Sequence, residues 1–217
     1  MTALEKIAFT KSSTHGILSS HLYHYAGNNP ITYTDPDGMK IYELTDEQWS
    51  VVNASLEEAI SNLKLLIDQL SDFSTEGDGK LMEAAKLYLG RDFSIVEDYS
   101  YLKVQCKSLI DCLSKMDRSN FKYDDFNNDS DEAKTFAWCY FAIGKTIYLG
   151  KSFFEAGNKG NDTKTGVLIH EATHLCGFSI DVPPNPYGIK NARKKLLKNL
   201  NSDNYEYFYE YIFKGGK

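Results

Sequence analysis

His170 and His174 stand four residues apart in the run His-Glu-Ala-Thr-His, with Glu171 after the first histidine and Gly177 and Asp181 downstream. On a helix, positions i and i+4 share one face about one turn, roughly 6 Å, apart, the spacing at which two imidazoles fill two corners of a tetrahedral zinc site. Glu171 points toward the open side of such a metal, where a carboxylate takes a proton from attacking water and later passes one to a leaving amine. These residue types in this order predict a hydrolytic zinc site of protease type. The flanks agree. Gly166-Val167-Leu168-Ile169 brings apolar residues into the turn that enters the site, and Gly177 is the residue type that ends a helix in a left-handed cap.

Two histidines need a third protein ligand. In the extended pattern H-E-x-x-H-x-x-G-x-x-H it would stand at position 180, which is Ile180, and all 4 methionines (Met1, Met39, Met82, Met116) lie upstream, so there is no Met-turn. A glutamate from a later helix, Glu206 or Glu210, would make a gluzincin-type site. Asp181 is the simpler choice: a chain reversed at Gly177 brings residues about four further on back under the helix, and a carboxylate partly neutralises the metal.

The segment Lys145 to Phe154, then Asp162, the His-Glu-Ala-Thr-His run, Asp181, Tyr187-Gly188, and Asn201 to Phe208 resembles the deuterolysin-type, or aspzincin, zinc metalloendopeptidases, including their peptidyl-lysine group, over about residues 44 to 213. The resemblance implies that His170, His174 and Asp181 bind Zn2+, that Glu171 is the general base, and that Tyr187 assists the transition state. The family writes G-T-x-D-x-x-Y-G, whereas Val-Pro-Pro-Asn-Pro separates Asp181 from Tyr187 here, three residues more. Asp203 and Glu206 match in type and spacing the acidic pair that recognises the lysine after the cut bond in the peptidyl-lysine members. On a helix starting near Ser202 they lie three apart and face one ammonium together. The alternative is local: Asp203 caps the helix and Glu206 complements its dipole.

A second resemblance lies at the other end. His21-Leu-Tyr-His-Tyr-Ala-Gly-Asn-Asn-Pro-Ile-Thr-Tyr-Thr-Asp-Pro-Asp-Gly-Met39 is similar to the closing segment of an Rhs/YD-repeat core, which precedes variable C-terminal toxin domains. Asn29-Pro30, Asp35-Pro36 and Asp37-Gly38 each favour turns. This implies a core remnant or linker over 1–40 and a toxin domain over 41–217, carried as the tip of a delivered effector, cytoplasmic before export, with an immunity protein as a possible partner. Its rival is a non-catalytic toxin-cassette remnant, against which the intact Glu171 argues.

The elements that must position these residues read as α+β and zincin-like: a mainly helical N-terminal part, a small antiparallel sheet, an active-site helix carrying His-Glu-x-x-His, and a helical C-terminal part. Thr45-Asp-Glu-Gln48 is a capping box opening a helix to about Leu70, with Val52, Leu56, Ala59, Leu63, Leu66 and Leu70 as its apolar stripe. Further helices are expected over about 80–89, stopped by Gly90, and about 100–116. Residues 120–132 read as a polar loop, and 135–142 and 146–149 as strands. The strand just before the zinc helix is the candidate edge that holds an extended substrate, or else an ordinary core strand. Beyond the site, 182–186 makes a stiff loop, 189–200 a basic helix, and 204–213 a last helix with Tyr205, Phe208, Tyr209 and Ile212 on its core face.

Composition sets the outer bounds. The 217 residues, 42% hydrophobic, suffice for one well-packed domain with an N-terminal appendage. A net charge of −6 argues against a nucleic-acid partner and suits an enzyme that attracts basic substrates, the protease motif making that substrate a protein or peptide. No apolar run is long enough for a membrane span, and residues 1–20 do not read as a signal peptide. Cys106, Cys112, Cys139 and Cys176 lack C-x-x-C spacing, so they read as packed thiols, with Cys176 turned away from the metal. His15, His21 and His24 read as surface residues.

Overall fold

The computed structural model describes residues 40–70, 79–91, 96–125, 135–140, 145–181, 187–194, 198 and 200–217. The segment 21–39 with its Rhs-like turns, the three upstream histidines and the loop 182–186 lie outside the described residues.

Strand β1 (Lys40–Glu43) leads into helix α1 (Asp46–Gln69), whose first turn is closed by the expected capping box: the Gln48 N–H donates to Thr45 Oγ1 at 3.2 Å and the Thr45 N–H to Gln48 Oε1 at 2.9 Å. The stripe from Val52 to Leu70 is buried against α3 (Val96–Ser114) and the zinc-motif helix α5 (Lys164–Leu175). Between α1 and α3, α2 (Gly79–Ala84) runs into a π-helical turn, Ala85–Leu89, ended by Gly90 at φ +66°. The last helix, α7 (Ser202–Phe213), buries Tyr205, Phe208 and Tyr209 and packs along α5.

The sheet has four strands in the order β1-β2-β4-β3, with β2 at Phe121–Asp125, β3 at Ala137–Cys139 and β4 at Ile147–Leu149. Strands β1 and β2 are antiparallel, as are β3 and β4, but β2 and β4 run parallel with Phe121 opposite Ile147. The sheet is therefore mixed, not antiparallel. It arises because the chain visits the β3 edge before returning in β4 between β3 and β2. The edge strand facing the motif helix is thus β3, while β4, the strand just before that helix, is interior and followed only by the short helix α4 (Lys151–Glu155).

Two further expectations fail for physical reasons. Phe121-Lys-Tyr-Asp-Asp125 looks like polar loop, yet it is β2: Phe121 is buried on the helix side, and Asp124 is buried while accepting from Trp138 Nε1 at 2.8 Å. Tertiary pairing outweighs its low intrinsic strand preference. In the basic run after Gly188, the described residues are helical over one turn, α6 (Ile189–Ala192), and Lys194 has already left the helix. Among the described residues, no helix is long and apolar enough to cross a membrane.

Leu44 is 2% exposed, and its carbonyl accepts from Arg118, so β1 and the residue after it belong to the domain. A chain beginning at Lys40 is expected to melt at the temperature of the full chain. Leu44→Ala should cost about 2–4 kcal/mol in denaturant unfolding. A shortened chain that is less stable than that substitution would move the domain boundary upstream of residue 40.

Candidate active site

Helix α5 begins at a cap built by two elements. Thr163 Oγ1 accepts the Gly166 N–H at 3.0 Å, and Glu210 on α7 accepts from Thr163 N at 2.6 Å, Thr163 Oγ1 at 2.8 Å and Asp162 N at 3.0 Å. Asp162 sits at φ +55°, and its carboxylate accepts the Tyr207 hydroxyl at 2.8 Å. Gly166 is where Glu210 crosses the helix: a Cβ there would lie 2.1 Å from Glu210 Oε1. Only glycine leaves room.

The other end closes in a Schellman motif, with Gly177 N–H donating to His174 O at 3.0 Å, Phe178 N–H to Thr173 O at 3.3 Å, and Gly177 at φ +73°. The reversed chain then pairs with the start of α7 through a parallel bridge between Ile180 and Asn201. Its bonds, Ile180 N to Leu200 O at 3.0 Å and Ser202 N to Ile180 O at 3.2 Å, place Asp181 beneath the helix.

The outcome is a triangle of ligand atoms. His170 Nε2 lies 3.3 Å from His174 Nε2 and 3.3 Å from Asp181 Oδ1, while Asp181 Oδ2 lies 3.4 Å from His174 Nε2. Bonds of about 2.0–2.1 Å from nitrogen and oxygen to tetrahedral zinc give ligand–ligand edges of about 3.3–3.4 Å, so the triangle has the size zinc needs. Asp181 Oδ1 and Glu171 Oε2 are buried with no hydrogen-bond donor of their own, as expected of oxygens that face an ion and a water. Burial works against the Asp181 charge, but the two imidazoles hold its carboxyl well below the ordinary carboxylate range. Burial pushes the Glu171 carboxyl up, and the same imidazoles pull it down.

The other candidate ligands lie elsewhere. Glu206 Oε2 is 3.1 Å and Asp203 Oδ1 3.0 Å from Nδ1 of His170, on the far side of that ring from His174 Nε2. Glu210 faces the start of α5 instead. Carboxylates on the outer nitrogen of a metal-binding histidine fix its tautomer and orientation. The His174 Nδ1 has the Ser179 carbonyl at 3.2 Å for the same purpose. Asp203 is not the helix cap: Asn201 holds that place, in a reciprocal box with Asn204. Glu206 is pushed up to about 7, mainly by burial. Tyr187 reaches the site despite the longer interval, its hydroxyl donating to Asp181 Oδ2 at 3.1 Å.

A cavity of about 530 Å³ opens over these groups, and its opposite wall is the edge strand β3 with Phe136 and Trp138. Sequence reasoning missed Cys139, whose thiol donates to the Glu171 carbonyl at 3.6 Å, because a lone cysteine carries no spacing signal. Cys176 turns toward α3, donating to Ser108 O at 3.5 Å, as a packed thiol would.

The aspzincin family profile, described as lysine-specific metallo-endopeptidase, matches residues 100–210. The chain belongs to the aspzincin family. This aspzincin is 31% identical over 121 residues to the peptidyl-Lys metalloendopeptidase of Armillaria mellea, a match covering 51% of this chain and 32% of that protein. It is 29% identical over 118 residues to the peptidyl-Lys metalloendopeptidase of Grifola frondosa, covering 51% and 33%. The match therefore spans about a third of the length of these curated relatives. The solved zinc peptidase from Grifola frondosa superposes with a TM-score of 0.53 at 22% identity, covering 77% of this chain and 96% of that one, which shows a shared α+β, mostly helical fold. The family uses zinc, and the His170, His174 and Asp181 group is of the type that binds it.

Two outcomes follow from the geometry. Burial disfavours a charged His170, yet the Asp181 carboxylate beside its Nε2 and the Asp203 and Glu206 carboxylates that accept at its Nδ1 overcome this and raise its pKa well above the ordinary value. A metal at Nε2 must displace that proton, so apparent zinc affinity should rise with pH through neutrality, by about tenfold per pH unit for one proton. Calorimetry in buffers of different ionisation enthalpy should find proton release, and pH-independent uptake would contradict it. Gly166→Ala should lower stability by about 1–3 kcal/mol in denaturant unfolding, since Glu210 must give way. A neutral result would mean that the α5–α7 contact is loose.

Proposed function

We propose that the protein is a zinc endopeptidase that hydrolyses the peptide bond preceding lysine. The observation that carries this reading is the zinc-sized triangle of His170, His174 and Asp181 with the unpartnered Glu171 Oε2 buried in the same cavity. Zinc, when bound, supplies Lewis acidity toward the scissile carbonyl and makes water more acidic. Glu171, 4% exposed, accepts the proton of the attacking water and returns it to the leaving amine. Tyr187 supplies a neutral hydroxyl: partial burial against the site wall and the neighbouring Asp181 carboxylate push it up to about 12, so it stays a donor at neutral pH. Released from Asp181, that hydroxyl is placed to stabilise charge developing on the carbonyl oxygen.

Substrate chemistry follows from the walls. The outer side of β3 offers backbone donors and acceptors to an extended peptide, which holds the scissile bond across the cavity. The acidic side, with Glu206 and Asp203, suits the ammonium of a lysine after the cut, as the names of the peptidyl-Lys relatives suggest. The Rhs-like segment 21–39 supports a further reading as the toxin tip of a delivered effector, neutralised by an immunity protein. A gluzincin-type site through Glu206 is disfavoured, because that carboxylate meets the wrong nitrogen of His170.

Glu171→Gln tests the chemistry. It should retain one zinc and the melting profile of the parent while hydrolysis falls by about 10²–10⁴-fold. Undiminished cleavage would remove Glu171 from its role, and loss of the metal as well would make it structural.

A further inference from the structure

Two thiols meet where α3 packs against the end of the zinc-motif helix. Cys176 caps α5, two residues after His174, and its Sγ lies 3.5 Å from the carbonyl oxygen of Ser108. Ser108 stands four residues before Cys112 on α3, so its carbonyl accepts the Cys112 N–H in the helix ladder. A helical side chain leans back over the turn before it, which carries the Cys112 sulfur toward that same carbonyl and hence toward Cys176. The two thiols accordingly lie within hydrogen-bond reach of each other. Both are half-buried, at the rim of the α3–α5 contact, whereas Cys106 is buried in the core and Cys139 is held at the Glu171 carbonyl.

We propose that Cys112 and Cys176 are a redox pair that closes to a disulfide and staples α3 to the end of the zinc-motif helix, the point from which the chain reverses at Gly177 toward Asp181. The hydrogen bond from Cys176 lowers the Cys112 pKa against the effect of burial, which makes Cys112 the attacking sulfur. Its thiolate attacks a low-molecular-weight disulfide such as oxidised glutathione. One glutathione leaves as a thiolate, and Cys112 carries the other as a mixed disulfide. The Cys176 thiol then gives its proton to solvent, attacks the Cys112 sulfur and expels the second glutathione. One disulfide is reduced to two thiols, and one is formed from two.

Oxidation and folding are then linked. A bond between positions 112 and 176 restricts the unfolded chain far more than the folded one, where the two elements are already in contact, so the folded protein favours the disulfide more strongly. The zinc-loaded full chain, equilibrated with mixtures of reduced and oxidised glutathione, is quenched with acid and mapped by mass spectrometry. Cys112 should be linked to Cys176, with Cys106 and Cys139 recovered as free thiols. The oxidation equilibrium constant should exceed that of the same chain unfolded in urea by about a hundredfold. Melting should accordingly rise by roughly 5–10 °C between the reducing and the oxidising mixture.

Cys112→Ser and Cys176→Ser should each abolish that melting difference, and they carry the control for any effect of glutathione on the bound zinc, which they share with the parent. An oxidation constant no larger in the folded than in the unfolded chain would overturn the pairing. So would a mixed glutathione disulfide as the stable product, a cross-link to Cys106 or Cys139, or a melting difference that persists in Cys112→Ser. If Cys176→Ser fails to fold, Cys112→Ser and the mapped parent decide: a parent linked at 112 and 176 with no melting difference left in the variant upholds the staple, and a parent that stays reduced overturns it. None of these readouts depends on peptide cleavage.

Discussion

The packing of α7 along α5 is the constraint on which the site depends. The contact is unusually polar for a helix pair, and each polar link falls at a different level of the motif helix. Glu210 holds the first turn through Asp162 and Thr163, Asp203 and Glu206 address His170 at mid-helix, and the Ile180–Asn201 bridge returns the chain with Asp181 below the last turn. Burying three carboxylates in one interface is costly unless each finds donors or a positive partner. Backbone N–H groups serve Glu210 and Asp203, and the His170 ring serves Asp203 and Glu206. The interface is therefore registered: a slip of either helix by one residue would leave buried charges unpaired.

That register explains why a glycine stands inside α5. Gly166 costs helix stability relative to alanine, by about 1 kcal/mol in an exposed helix, yet any side chain would expel Glu210 from the cap. The same logic applies at the exit, where the left-handed Gly177 sets the direction in which Asp181 returns. Both ends of the helix are thus fixed by backbone geometry, and the ligand side chains inherit their positions from it.

Much of this was legible in the sequence. The i, i+4 histidines, the adjacent glutamate, the capping box at Thr45 and the stop at Gly177 are local signals, and each folds as its local chemistry dictates. What was illegible is non-local. The strand Phe121–Asp125 looks polar in sequence, yet its Asp124 is buried and takes a hydrogen bond at Oδ2 from Trp138 on another strand. The parallel β2–β4 pairing cannot be read from alternation, which reports faces but not partners. Spacing placed Asp203 and Glu206 together correctly, but not their approach to the outer nitrogen of His170, since that depends on how α7 lies against α5. Tyr187 could not be placed from a loop of altered length, and only the fold brings its hydroxyl to Asp181.

Digestion of an unfolded, lysine-containing polypeptide by the zinc-loaded full chain, with the fragments sequenced, tests the central claim most directly. The account predicts new amino termini at lysine, lost on chelation and restored by zinc. Cleavage that persists under chelation, or zinc-dependent cleavage with no bias toward lysine at the new termini, would contradict it.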